Sequence, residues 1–421
     1  MIQESEQAKT AAALPERRRT FIEGSMAIAE AVKLSRPKVI SAYPITPQTH
    51  IVEDLAKMVA DGELDAQYIP VESEFSAASA IYGASLAGVR AYTASSSQGL
   101  LLMTEVLYNA AGTRLPIVLT GANRTLSAPI SILPDHQDTI SLRDPGIVQL
   151  YVEDCQEAHD AHIQAFRIAE DPGVLLPTMV CVDGWMLTHT FEPVALCEQE
   201  VVDRYLPPYR PVHYANPEKP MSWGFYVDDD LLMEFRYEVH LAMRRALEVV
   251  EKAAAEFETL FGRHHGGLIQ SYRTEDAEVI VLAMGSVVGT IKEAIDGLRE
   301  EGHRVGLVKV RCFRPFPAEA IYQAVKGARA LAVLDRNISM GQEGALASDL
   351  KAAFYHRQPR PAVVSFVAGL AGREVSLDSV RRVYERTRRV AEGEESPGDC
   401  IFLDLNQGYL DLKRATVGGE K

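Results

Sequence analysis

The sequence predicts an α/β protein made of two parallel-sheet domains. From Phe21 onward, short β-branched runs alternate with helical stretches, the pattern of parallel strands joined by helices. Several runs, LLPTMVCVD (Leu175 to Asp183) among them, are almost continuously apolar, as strands covered on both faces are. At 421 residues the chain is also longer than one core usually organises.

The elements follow in order. Residues 1–20, MIQESEQAKTAAALPERRRT, offer little to bury and are expected to form a mobile arm, in which Arg17, Arg18 and Arg19 read as a solvated tail or as a basic patch for a partner. Residues 21–230 form the first α/β domain with its connector. KVISAY (Lys38 to Tyr43) is its first strand, followed by a Pro-Ile-Thr-Pro turn and a helix through Ile51 and Leu55. QYIPV leads into the helix containing Glu74, VRAYTA into one opening at Gln98, and PIVLTG (Pro116 to Gly121) into a Pro-rich loop. Residues 203 to 230 hold five prolines and the run Asp228-Asp229-Asp230 without sustained periodicity, which marks the connector. Within 231–275, Leu232, Phe235, Val239, Met243, Leu247, Val250, Ala254, Phe257 and Phe261 recur at spacings of three and four. That spacing predicts one amphipathic helix of about 30 residues, roughly 45 Å long, read as a rigid spacer. Residues 276–411 repeat the alternation: EVIVLAM, a helix from Val288, RVGLVKV, a Pro-flanked turn, ALAVLD, a helix from Glu343, and AVVSFVAG.

Composition removes several function classes. Apolar residues make up 47% and charged residues 24%, an ordinary globular balance. The net charge of −15 repels phosphate backbones and anionic membranes, so no nucleic-acid partner is expected. No apolar run approaches the length of a membrane span, and the opening residues lack a secretory apolar core. The five cysteines are scattered with no C-x-x-C pair, so neither a metal site nor a disulfide framework is read and a cytoplasmic location is expected. The common nucleotide, zinc-protease and serine-hydrolase signatures are all missing. The turn Gly285 to Thr290 could hold an anion on its backbone N–H groups or simply pack a tight strand-to-helix turn.

Ligands of open parallel sheets gather beyond the carboxyl ends of strands, and three strand ends carry chemistry. In Tyr43-Pro44-Ile45-Thr46-Pro47, two prolines fix the backbone around one hydroxyl, which serves either a ligand or a stiff capped turn. Glu72 and Glu74 open an Ala- and Gly-rich helix, where acids are ordinary partners of the helix dipole. Whichever carboxylate faces the small apolar surface is desolvated and needs a specific partner. In Leu119 to Arg124, an arginine follows an apolar strand as a candidate carboxylate fork.

YPITPQTHIVE, VESEFSAASAIYGASLAGVRAYTASSSQGLLLM, GANRTLSAPISILPDHQD and VLDRNISMGQEG (Val333 to Gly344) occur in order and together resemble the α subunits of pyruvate:ferredoxin oxidoreductase (pyruvate synthase), in the 2-oxoacid:acceptor oxidoreductase family. The resemblance runs from about Phe21 to about Leu410. It implies a thiamine-diphosphate pyrimidine-binding domain followed by a transketolase-C-terminal-like domain, in a complex that oxidatively decarboxylates a 2-oxoacid, transfers the acyl group to coenzyme A as co-substrate and passes electrons to ferredoxin. Thiamine diphosphate would be shared with a partner chain. Mg²⁺ and 4Fe–4S clusters would sit on partner chains, because this sequence has neither cluster cysteines nor a G-D-G…N motif.

By the same resemblance Glu74 is the catalytic glutamate, hydrogen-bonded to N1′ of the cofactor's aminopyrimidine. Thr46 and Arg124 bind the substrate carboxylate. Ser97, Gln98 and Gly99 line the cofactor side, and Asp135, His136 and Gln137 form an active-site loop, although a histidine such as His136 by itself is more often structural. Glu72 departs from the pattern and is expected to be solvated. Pyruvate is the leading substrate; phenylglyoxylate or a branched-chain 2-oxoacid is the runner-up, and a non-catalytic scaffold subunit is the reading from another class.

Overall fold

The computed structural model describes residues 19–418. The expected N-terminal arm therefore lies outside the described residues except for its end, where Thr20 already pairs with Val194 in a two-stranded antiparallel sheet of Thr20–Glu23 and Phe191–Val194.

The first large sheet has seven strands in the order Cys312–Arg314, Val148–Tyr151, Thr178–Asp183, Val118–Asn123, Ala91–Ser95, Val39–Ala42 and Gln67–Pro70. All neighbours are parallel except Cys312–Arg314, an antiparallel edge. Its central strands are buried along their whole length, which is why they read as unbroken apolar runs. The second sheet has six strands in the order Ile401–Phe402, Ala362–Val367, Ala330–Asp335, Val279–Ala283, Val305–Val310 and Ile269–Tyr272. Ile269–Tyr272 is its antiparallel edge.

The Pro-flanked turn after RVGLVKV thus hides a strand, and it belongs to the first sheet. The chain crosses back between sheets there, and one apolar cluster joins Leu119, Tyr151, Met179 and Phe313 of the first sheet to Ile280, Leu282 and Val308 of the second. A buried ion network crosses the same boundary. Glu157, in helix Cys155–Ala169, accepts from Lys309 Nζ at 2.7 Å and Arg311 Nε at 2.9 Å, and Arg311 Nη2 reaches Gln164 at 2.9 Å.

The long helix forms over Leu232–Phe261, 30 residues as the periodicity predicts, and ends at Gly262 in a left-handed conformation. It is not a free spacer. From Ala242 onward its apolar stripe, including Ala246, Val250, Phe257 and Phe261, packs against Val148, Ile168 and Phe166 of the first unit. Its first turns, with Met233 and Tyr237, are exposed nearly all round. The final helix runs Gln407–Gly418, past the expected limit at 411. Among the described residues no helix is long and apolar enough to cross a membrane.

Candidate functional site

The site is built from the carboxyl ends of Val39–Ala42, Ala91–Ser95 and Val118–Asn123, three adjacent parallel strands. Glu74 is the first residue of helix Glu74–Leu86, whose N-terminus is fixed by Ser73 Oγ accepting from Ser76 N. Its side chain is buried, yet among the described residues its carboxylate makes no hydrogen bond and no ion pair. A largely buried side chain whose carboxylate has no donor leaves that carboxylate free to pair with a ligand. Glu72, by contrast, is exposed and accepts from Ser76 Oγ, which holds its carboxyl below the usual range.

Gly99 explains how space is kept at that carboxylate. It lies in helix Ser97–Leu102, and a Cβ there would meet Glu74 Oε1 at 2.5 Å and Ser95 Oγ at 2.5 Å. The hydroxyls of Ser95 and Ser96 are buried without hydrogen-bond partners, so unsatisfied polar atoms accumulate around the same spot.

Arg124 and Thr46 are brought together directly. Arg124 Nη1 donates to the Thr46 carbonyl at 2.8 Å and Nη2 to Gln98 Oε1 at 3.0 Å, while Nε is buried without a partner. Burial lowers the Arg124 pKa, opposed by the charges of Asp138 and Glu74. The Thr46 side chain is exposed and its hydroxyl is free of hydrogen bonds among the described residues, so a hydroxyl and a guanidinium flank one opening. Ser97 braces the turn, its single Oγ–H lying between two acceptors, Gln98 Oε1 at 2.6 Å and the Thr125 carbonyl at 2.7 Å. Ser97 does so at φ 52, a left-handed conformation costly for a residue with a Cβ.

The sequence reading missed the residue that holds these loops in place. Asp138 is fully buried and accepts from Ser97 N at 2.9 Å, Arg124 N at 3.0 Å, Asn123 Nδ2 at 2.9 Å and its neighbour Thr139 N at 2.8 Å. Burial pushes its carboxyl up to about 7, against the backbone donors that favour the ion. The signal was present as the fourth letter of DHQD, but its partners are brought to it only by the fold.

The first three letters of that string do something else. Asp135 Oδ2 accepts from Ala371 N at 3.1 Å, Gln137 Oε1 from Ile338 N at 3.0 Å, and His136 Nε2 meets Asp183 Oδ1 at 3.0 Å. Every one of these contacts ties the loop to segments that follow strands of the second sheet, or to Asp183, not to Glu74 or Arg124. Asp183 itself ends strand Thr178–Asp183 and takes Arg336 Nη1 at 2.7 Å and Ser286 N at 2.7 Å; against burial, Arg336, His136 and the Ser286 hydroxyl hold its carboxyl far below the usual range. The turn at Gly285 therefore does hold an anion on a backbone N–H, and that anion is the chain's own aspartate.

Tyr43, Phe75, Leu101 and Leu102, each within three positions of Thr46, Glu74 or Gly99 in the chain, stand 38–49% exposed. The unpartnered Glu74 carboxylate, the two orphan serine hydroxyls and the space left by Gly99 suit the amino- and imino-bearing edge of a pyrimidine ring.

Comparison with known proteins gives the same answer from a different direction. Residues 30–255 match the family model described as pyruvate flavodoxin/ferredoxin oxidoreductase, thiamine diphosphate-binding, and residues 277–380 match pyruvate:ferredoxin oxidoreductase core domain II. The chain is 50% identical over 391 residues to pyruvate synthase subunit PorA of Methanosarcina barkeri, covering 92% of this chain and 97% of the relative. It is 43% identical to ketoisovalerate oxidoreductase subunit VorA of Pyrococcus horikoshii, covering 93% and 98%. The fold is shared with 2-oxoglutarate:ferredoxin oxidoreductase from Magnetococcus marinus, with a TM-score of 0.67 at 18% identity over 92% of this chain and 68% of that one. It is shared more loosely with a split-gene transketolase, with a TM-score of 0.52 at 13% identity over 87% and 98%.

Proposed function

Since the chain belongs to the pyruvate flavodoxin/ferredoxin oxidoreductase family, we propose that it is the subunit of a 2-oxoacid:ferredoxin oxidoreductase that supplies the pyrimidine side of the thiamine-diphosphate site, acting on pyruvate. The carrying observation is the buried Glu74 side chain, whose carboxylate has no hydrogen-bond donor among the described residues and faces a position that Gly99 keeps free of a side chain. Pyruvate is favoured over a branched-chain 2-oxoacid because identity is 50% to the pyruvate synthase subunit against 43% to the ketoisovalerate enzyme's subunit.

Thiamine diphosphate, when bound, supplies a nucleophilic carbon and an electron sink for decarboxylation. Glu74 would hold and exchange a proton at N1′ of the aminopyrimidine. Arg124, anchored on the Thr46 carbonyl and Gln98, points charge at the substrate carboxylate, and the Thr46 hydroxyl supplies a second donor. Asp138 keeps the Ser97 and Arg124 backbones in register so that neither donor drifts.

The diphosphate, Mg²⁺ and iron–sulfur clusters belong to partner chains, as does delivery of electrons to ferredoxin, with coenzyme A entering as co-substrate. The exposed residues Tyr43, Phe75, Leu101 and Leu102 mark the face such a chain covers. Expressed alone, this chain is expected to contain no iron, bind thiamine diphosphate weakly and reduce no dye with pyruvate. Co-expressed with its partners it is expected to give an active brown complex. Appreciable 2-oxoacid-dependent dye reduction by the iron-free single chain would overturn this division of labour.

A further inference from the structure

A second set of donors converges where three elements meet. Glu23 ends strand Thr20–Glu23, His50 sits in the first turn of helix Thr49–Ala60, and His189 lies in the loop before strand Phe191–Val194. One nitrogen of each imidazole and one carboxylate oxygen of Glu23 lie within 4.8 Å of one another. Donors bound to a single tetrahedral zinc ion sit about 3.4 Å apart, a spacing that small rotations of these partly exposed side chains would reach. Glu23 Oε1 and His50 Nδ1 are already 2.8 Å apart, and the two imidazole rings are centred 4.6 Å from each other.

The surroundings favour a cation twice over. The His189 ring is fixed, stacked on Trp185 at 4.2 Å with Nδ1 2.7 Å from Thr188 Oγ1, the kind of outer support that orients metal-binding histidines. The charge balance is also incomplete. No Lys or Arg pairs with Glu23 or with Asp54, one helical turn from His50, among the described residues. Neutral imidazoles with carboxylate oxygen are the donor set of first-row divalent ions.

We propose that Glu23, His50 and His189 form a site for a divalent cation of the zinc class, with solvent completing its coordination. The ion would tie together the start of the first helix, the helix that follows the Tyr43–Pro47 turn and the loop after Asp183. It would thereby stiffen the frame that carries Thr46, four residues before His50. The site is independent of the assignment of Glu74.

The test uses Zn²⁺ as probe on the complex purified with its partner subunits, with zinc per chain counted by elemental mass spectrometry after equilibrium dialysis. Wild type is expected to hold one more zinc per chain than Glu23→Gln or His189→Asn, each of which should bind at least tenfold more weakly. Glu23→Gln keeps the shape of the Glu23 to His50 contact and decides the matter if His189→Asn fails to assemble. Equal zinc in wild type and in assembled Glu23→Gln, or none retained by wild type at micromolar free zinc, would overturn the site and leave a hydrogen-bonded His–Glu cluster.

Discussion

Replacing Gly99 by alanine adds a single methyl group, and the structure says where it goes. The new Cβ would lie 2.5 Å from Glu74 Oε1, 2.5 Å from Ser95 Oγ and 2.8 Å from Glu74 Cδ. Non-bonded contacts involving carbon settle at about 3.5–4.0 Å, so the Glu74 carboxylate must retreat by about 1 Å. A displacement of that size at a reacting group costs about 100-fold in rate, equivalent to about 2.7 kcal/mol of transition-state stabilisation. Stability should change far less, because alanine gains about 1 kcal/mol of helix propensity while overpacking costs about 1–3 kcal/mol. Gly83 supplies the control. It lies in the same helix as Glu74, and a Cβ there meets nothing within 4 Å, so Gly83→Ala should stabilise by about 0.5–1 kcal/mol with turnover unchanged. Both variants would be assayed in the assembled complex by pyruvate-dependent dye reduction and by thermal unfolding. Gly99→Ala within threefold of wild-type turnover would refute the claim that Glu74 works from the position Gly99 leaves open.

Thr46→Val and Arg124→Leu should each lower kcat/KM for the 2-oxoacid by about 10-fold or more while cofactor affinity holds, since each removes a polar contact to the carboxylate. Normal substrate kinetics with failed assembly would assign both residues to the turn instead. Glu157 predicts an acid limb of stability: burial alone would raise its carboxyl, but Lys309 and Arg311 outweigh that and hold it at about 2 against an ordinary 4.5. A depressed folded pKa means the stabilisation is complete above about pH 4.5 and lost as pH falls towards 2, a contribution of about 3 kcal/mol. Glu157→Gln should therefore lose roughly 3–5 kcal/mol at pH 7 and flatten the dependence of the unfolding midpoint on pH below 4.5. An unchanged midpoint at pH 7 would show that the buried network does not hold the two sheets together.

What the sequence made legible follows from where each signal is stored. Strands such as Ala330–Asp335 and Thr178–Asp183 are covered on both faces, so their burial is written as uninterrupted apolar residues. The helix over Leu232–Phe261 was legible from its period, but not its packing, because a stripe of Ala242, Ala246 and Val250 does not say which surface receives it. Strand Cys312–Arg314 was illegible: it is three residues long and pairs with Val148–Tyr151, far away in the chain. The site divides the same way. Thr46, Glu74 and Arg124 stand at strand ends within recognisable strings, whereas Asp138 acts by accepting N–H groups from Ser97 and Arg124, which are distant in sequence. His136 sits beside Asp138, yet its ring reaches Asp183, so neighbours in one loop serve different ends of the molecule.

The central claim is that Glu74 exchanges a proton with the aminopyrimidine, and Glu74→Gln addresses it most directly. The side chain keeps its shape and place, but an amide cannot cycle a proton, so the assembled complex should retain its fold and its bound thiamine diphosphate while turnover with pyruvate falls by at least about 100-fold. The measurement is turnover per bound cofactor in wild-type and variant complexes prepared side by side. A variant that keeps its cofactor and turns over at more than about a tenth of the wild-type rate would contradict the assignment, leaving Glu74 only the mild role of an acid at a helix N-terminus, worth about 1 kcal/mol.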